Sequence, residues 1–351
     1  MNVDMYERRK ISIVVPCYNV TACIDKCMES LLNQTIGLDN IEIILVDDAS
    51  TDNGATVERL LEYEKKFPDV IMVVLQEENG RQGGARNAGI RYATGEYLLF
   101  CDADDYLSLC AAERLYHASQ IYQADVVEFR LKEIEDYTEI DPTLVSGDQG
   151  YLLDLADENV RRAVLGLSNP DFGLGCMNKL YRMDLIRDHE IRFAEHLIYE
   201  EPSFTLPVRC YEQRHLYLDE VLYYYLQWSD STMHGSGREH DLDSLKVWNV
   251  LMEELEQRGL LNKYYYEFGK MYYSWGFVLT LSILMRNGQT VTKELFYTLR
   301  EVVEKRFPQL RENPMLLESN TGCELAILDM EYEQTMQPEL EELVWRCIRQ
   351  G

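Results

Sequence analysis

Along the first hundred positions the apolar residues follow two alternating rhythms, short β-branched runs that end on polar residues and longer stretches with helical spacing. Positions 11–15 form an apolar run interrupted only by Ser12 and broken by Pro16-Cys17-Tyr18-Asn19. A run of this kind suits a strand covered on both faces. Between Thr21 and Gln34, apolar residues recur at Ile24, Cys27, Met28, Leu31 and Leu32, which predicts a helix with Thr21 as its cap. Positions 41–46 read as a second strand ending at Asp47-Asp48, about 54–67 as a helix, 70–75 as a third strand and, after a Gly-rich segment, 97–101 as a fourth. This alternation predicts an α/β fold on a mostly parallel sheet flanked by helices. Ligands of such sheets bind beyond the carboxyl ends of the strands, where the sequence puts Tyr18, Asp47, Asp48, Asp102 and Asp104.

Beyond about Arg238 the rhythm changes to long amphipathic stretches at 242–255 and 291–307, with an acidic run at 339–342. They predict a C-terminal α-helical appendage, hinged at the Gly-Ser-Gly of 235–237. The expected division is a catalytic domain over 1–235, with a nucleotide-binding half at about 10–130 and an acceptor half at about 131–235, followed by a helical region over 236–351. The apolar run at 275–285 contains Thr280 and Ser282. It falls far short of the roughly 20 residues that span a bilayer and reads as a buried helix.

Composition narrows the function classes. With 34 Lys plus Arg against 61 Asp plus Glu, the net charge of -27 repels polyanions, so nucleic acid is not an expected partner. An anionic substrate needs a local device against this field, and a divalent cation is one. The nine cysteines form no CxxC pair and are odd in number. They fit reduced thiols in a cytoplasmic protein and argue against zinc. The start, MNVDMYERRK, carries no apolar leader, so export is not expected.

Three polar clusters carry candidate chemistry. Asp102-Ala103-Asp104-Asp105 follows the buried-type run that ends at Cys101. Acids gathered this closely repel one another unless a cation is shared, and Mg²⁺ or Mn²⁺ with substrate phosphates in its shell meets the need. A helix-capping Asp turn is the alternative. Asp47-Asp48 closes the second strand and offers acceptors to a nucleobase or ribose, while Ser50 or Asp52 caps the next helix. The segment from Asn79 to Gly89 supplies small residues for close backbone approach, plus Arg86, a fixed cation suited to a diphosphate or to a neighbouring carboxylate. No GK[ST] follows, so it is not a Walker A loop.

Taken together, Val14-Val15-Pro16-Cys17-Tyr18-Asn19, Leu45-Val46-Asp47-Asp48-Ala49-Ser50, Gly84-Ala85-Arg86-Asn87-Ala88-Gly89 and Phe100-Cys101-Asp102-Ala103-Asp104-Asp105 resemble glycosyltransferase family 2. The resemblance continues through Met177-Asn178-Lys179-Leu180-Tyr181-Arg182 and Tyr199-Glu200-Glu201-Pro202-Ser203-Phe204 to about Ser231. It implies a GT-A (Rossmann-like) fold, a nucleotide-sugar donor, Mn²⁺ or Mg²⁺, and inversion at the anomeric carbon. It further implies that Tyr18 stacks near the base, Asp48 reads it, Asp102 meets the ribose and Asp104 binds the metal. The full expected metal set is Asp102, Asp104 and Asp105. The expected substrate contacts are Pro16, Tyr18, Asn19, Asp47, Asp48, Gly84, Arg86, Asn87, Asp102, Asn178, Lys179 and Glu200.

Where the family usually has Glu-Asp, this chain has Glu200-Glu201, so the general base falls on Glu201, one methylene longer. Tyr223-Tyr224-Tyr225 and Ser231-Thr232 resemble the last strand and the loop over the donor; His234, His240 and Trp228 nearby are equally ordinary surface or core residues. The expected activity is transfer of a hexose or N-acetylhexosamine from a nucleotide sugar, UDP-linked by preference, to a glycan or lipid-linked acceptor in cell-surface polysaccharide synthesis. The expected location is the cytoplasm, or the inner face of the plasma membrane through peripheral association if the acceptor is lipid-linked. The competing readings are a nucleotidyltransferase, which would release pyrophosphate, and a nucleotide-sugar-binding relative without catalysis. Sequence leaves the oligomeric state open.

Overall fold

The computed structural model of the chain describes residues 8–139, 150–166, 173–227, 240–318 and 322–350. Its first strands are β1 (Ile11–Cys17), β2 (Ile41–Asp47), β3 (Ile71–Leu75) and β4 (Tyr97–Phe100), linked by helices α1 (Ile24–Leu32), α2 (Ala55–Lys66) and α3 (Arg81–Tyr92). Every residue of β1 and β4 is buried, as continuous apolar runs require. Alternation along the strands divides the core. Ile13, Val15, Ile43 and Leu99 pack with Ile24 and Leu31 of α1 and Leu60 of α2, whereas Val14, Ile44, Leu98 and Phe100 pack with Ala85 and Ala88 of α3 on the other face. Gly89 lets α3 lie directly on β1, since a Cβ there would come within 2.3 Å of Val14 Cγ1.

The chain continues with β5 (Tyr106–Leu107), α4 (Ala111–Tyr122), β6 (Val126–Ile134), β7 (Gly150–Asp154), α5 (Glu158–Leu165), β8 (Lys179–Arg182), α6 (Met183–Asp188), α7 (Pro202–Tyr211) and β9 (Arg214–Leu226). All nine strands join one sheet in the order β3-β2-β1-β4-β8-β6-β9-β5, with β7 on β9. The parallel expectation describes β1 to β4. From β8, antiparallel to both β4 and β6, the directions mix.

From α8 (Asp243–Gln257) onward the described chain is helical to Gln350. Its core gathers Trp248, Phe268, Tyr272, Tyr273, Phe277, Phe296 and Phe307, and takes in Leu165, Leu206 and Cys210 from α5 and α7. The run at 275–285 lies in a continuous helical stretch from Tyr265 to Arg286 that carries a π segment at Tyr272–Val278. Among the described residues, no helix is long and apolar enough to cross a membrane. The Gly-Ser-Gly hinge, Trp228, Ser231, Thr232 and His234 lie outside the described residues. One local expectation fails: Thr21 caps no helix. Its hydroxyl instead donates to Asp52 at 3.0 Å, and Asp52 also accepts the Thr56 amide at 3.0 Å at the start of α2.

Candidate functional site

Register assembles the site. Cys17 of β1 lies opposite Asp47 of β2, Val14 lies opposite Phe100 of β4, and the Asp48 amide donates to the Cys17 carbonyl at 2.8 Å. The residues following these strands therefore leave the sheet along one edge. There a cavity of about 400 Å³ is lined by Pro16, Tyr18, Asn19, Asp48, Arg81, Asp102, Asp104 and Glu200, among others. Tyr18 stays 44% exposed, an aromatic face free for a ring to stack on.

The acidic turn is pinned from below. Asp105 is fully buried; one carboxylate oxygen accepts the Tyr223 hydroxyl at 2.5 Å and the other the Leu226 amide at 2.9 Å. The Tyr223 oxygen in turn accepts the Asp102 amide at 3.1 Å, and the Tyr137 hydroxyl donates to the Asp104 carbonyl at 2.7 Å. Asp105 thus shapes the turn from inside the sheet and does not line the cavity, which takes it out of the expected metal set. Asp104 does line it. Burial, then the charge of Asp102, push Asp104 up to about 6. Among the described residues, no side chain donates a hydrogen bond to its carboxylate. A hard divalent cation fits this pair of acids: both supply oxygen donors on the cavity wall, and a positive charge relieves the cost of keeping Asp104 ionised. Among the described residues no three His, Cys, Asp or Glu side chains converge as a metal cage, so the remaining ligands would have to come from substrate and water.

Of the two tasks expected of Arg86, the structure shows the pairing with neighbouring carboxylates. Arg86 is 1% exposed, donates to Asp102 at 2.8 Å and to Glu200, and lies over the rings of Phe100 and Phe193 at 5.9 and 5.5 Å. Its two Nη groups each hold an acid, and Arg86 is not among the residues lining the cavity, so it positions those acids. Burial outweighs the pull of Arg86 and pushes Glu200 up to about 7. Glu201, half-buried just ahead of Pro202 at the start of α7, accepts the Cys176 amide at 2.8 Å through Oε1.

Several other expected contacts also face inward. Asp47, 3% exposed, accepts the Ser50 hydroxyl at 2.5 Å and the Ser50 amide at 3.2 Å. Asn87 clamps Phe193, donating to its carbonyl and accepting its amide, both at 2.9 Å. Gly84 does not line the cavity. Asn178 donates to the Phe129 carbonyl at 2.9 Å, and Lys179 pairs with Glu128 at 2.9 Å while donating to the Gly175 carbonyl at 2.6 Å. These are scaffold bonds: they fix the 173–178 loop whose Cys176 amide holds Glu201.

The same loop rests on a buried charge cluster. Glu128 faces Lys179, His215 at 3.2 Å and Arg209 at 3.9 Å, and Arg209 donates to the Gly173 carbonyl at 2.9 Å. Burial alone would raise Glu128, but Lys179, His215 and Arg209 pull it down from 4.5 to about 2. The unfolded chain therefore binds the proton first as pH falls. The Glu128 contribution is complete above about pH 4.5 and is lost as pH drops toward about 2. Chemical denaturation across that window should show stability falling with acid, and Glu128→Gln should flatten the slope.

Sequence reading missed Arg81, Asn79 and His196 at the cavity mouth, and His240, which bonds Arg81. The available signal was a basic residue inside the Gly-rich segment.

With this geometry in place, likeness to known proteins fixes the family. The sequence profile described as Glycosyl transferase family 2 matches residues 12–149. Glycosyltransferase GlyG of Streptococcus pneumoniae serotype 4 is 30% identical over 230 residues, covering 64% of this chain and 72% of that protein. The chain belongs to glycosyltransferase family 2. Poly(ribitol-phosphate) beta-glucosyltransferase of Bacillus spizizenii is 34% identical over 218 residues, 62% of this chain but only 32% of that protein, so the aligned part spans about a third of that relative. Among solved structures, S. aureus TarS 1-349 in complex with UDP-GlcNAc matches with a TM-score of 0.59 at 22% identity, over 88% of this chain and 90% of that one. The fold is GT-A.

Proposed function

We propose that the chain is an inverting, metal-dependent glycosyltransferase that moves a hexose or N-acetylhexosamine from a UDP-sugar to a hydroxyl of a glycan or lipid-linked polymer. One observation carries the reading: Asp48 from the end of β2, and Asp102 and Asp104 from the turn after β4, face a single cavity with Tyr18 at its rim and Glu200 in its wall. The relative named for poly(ribitol-phosphate) and the TarS complex with UDP-GlcNAc support a polymer acceptor and a uridine donor. The proposed division runs as expected from sequence, a catalytic unit to about 235 and a helical region after it. Work on a cytoplasmic donor sets the reaction in the cytoplasm, or at the inner membrane face for a lipid-linked acceptor.

In this reading Tyr18 stacks on the base, Asp48 accepts its N–H and Asp102 accepts from the ribose. Asp102 and Asp104 would hold Mn²⁺ or Mg²⁺, which would supply positive charge against the diphosphate leaving group. Glu201, tethered through Oε1, uses its other oxygen to take the proton of the acceptor hydroxyl. That hydroxyl oxygen attacks the anomeric carbon on the face opposite the diphosphate, and a single displacement inverts the centre. The extra methylene of Glu201 is accommodated by its tether to Cys176. Incubation with a panel of nucleotide sugars and Mn²⁺ should release UDP from a UDP-sugar, slowly by hydrolysis without acceptor, and release should stop with a chelator. Pyrophosphate as the product, or no nucleoside diphosphate from any donor, would reject this function.

A further inference from the structure

We propose that Arg81 receives a phosphate group at the mouth of the cavity, and that His240 and Asp243, from the helical region, hold it in place. The inference rests on the donor-site reading above and adds a residue that the sequence motifs do not mark. Arg86 is committed to Asp102 and Glu200 behind the wall, and among the described residues Arg81 is the guanidinium that lines the cavity. It also lines the adjoining outer space of about 430 Å³ with Tyr18, Asn79 and His196. Among the described residues, no carboxylate forms an ion pair with it. Within a chain of net charge -27, a guanidinium left without an acid at the edge of an acid-lined cavity is matched by an incoming anion.

What Arg81 does bond is a positioning group. Its Nη2 lies 2.8 Å from His240 Nε2, and His240 Nδ1 lies 2.7 Å from Asp243 Oδ2 at the start of α8. A guanidinium only donates, so Nε2 accepts and the ring proton sits on Nδ1, donated to Asp243. A neutral imidazole orients the fork without neutralising it, which leaves the charge for a ligand. Asp243 is anchored in turn by Lys246 at 2.7 Å. The backbone points the same way: Arg81 has φ 61, in the left-handed region that favours glycine, amid Gly80, Gly83 and Gly84.

The phosphate has two sources, the diphosphate of the donor or a phosphate on the acceptor, and one variant separates them. Arg81→Gly removes the cation and relieves the backbone, so Tm should hold or rise. Calorimetry on wild type and variant would use UDP, uridine and ribitol phosphate. The expected result is loss of UDP affinity by about tenfold or more with uridine unchanged. His240→Ala should give a smaller loss in the same direction, a split between UDP and uridine that general loosening would not produce. Loss for ribitol phosphate alone also supports the proposal and assigns the acceptor's phosphate. Unchanged affinity for both phosphate probes, or a wild type that binds neither, overturns it. A wild type that binds ribitol phosphate through Arg81 but neither UDP nor uridine would refute the donor reading while leaving Arg81 in its role.

Discussion

Glu201→Gln is expected to lower kcat by about 10²–10⁴, the usual worth of a positioned general base, with UDP affinity unchanged. Glutamine keeps the size of the side chain and an oxygen for the Cys176 amide, so the loop at 173–178 stays where it is. Only the capacity to take a proton is lost. The measurement is steady-state turnover with the donor found active, paired with calorimetry on UDP. Full turnover in the variant would remove Glu201 from the mechanism and shift the base to Glu200, which lines the cavity where Glu201 does not.

Arg86→Met should destabilise the fold by about 3–5 kcal/mol, because removing one partner of a buried ion pair strands its counter-charges. Here two are stranded, Asp102 and Glu200, with side chains 11% and 4% exposed. Urea denaturation reads the loss. Adding Glu200→Gln should recover part of it, since that acid no longer needs a cation. A single variant as stable as wild type would mean that the two acids are satisfied without Arg86.

How much of this was legible in the sequence depends on how local each signal is. The strands and their polar ends are written in consecutive residues, so Tyr18, Asp48, Asp102 and Asp104 could be placed at one sheet edge from apolar runs alone. Whether a polar side chain turns to the cavity or into the core is decided by what packs behind it. Asp105 turns inward because Tyr223 and the Leu226 amide, more than a hundred positions away, supply its partners. Asp47, Asn87, Asn178 and Lys179, expected as contacts, bond to groups of the protein itself, and those partners appear only on folding. Arg81 and His240 are 159 positions apart, and no local pattern ties them together.

The guanidinium shared by Asp102 and Glu200 also limits how this site can drift. A lysine at position 86 would keep the charge but lose the planar fork that satisfies two acids at once. The basic exchange that most surfaces tolerate is therefore closed here, and either acid can be replaced only in step with its companions. The wall facing the donor and the wall facing the acceptor form one unit of inheritance.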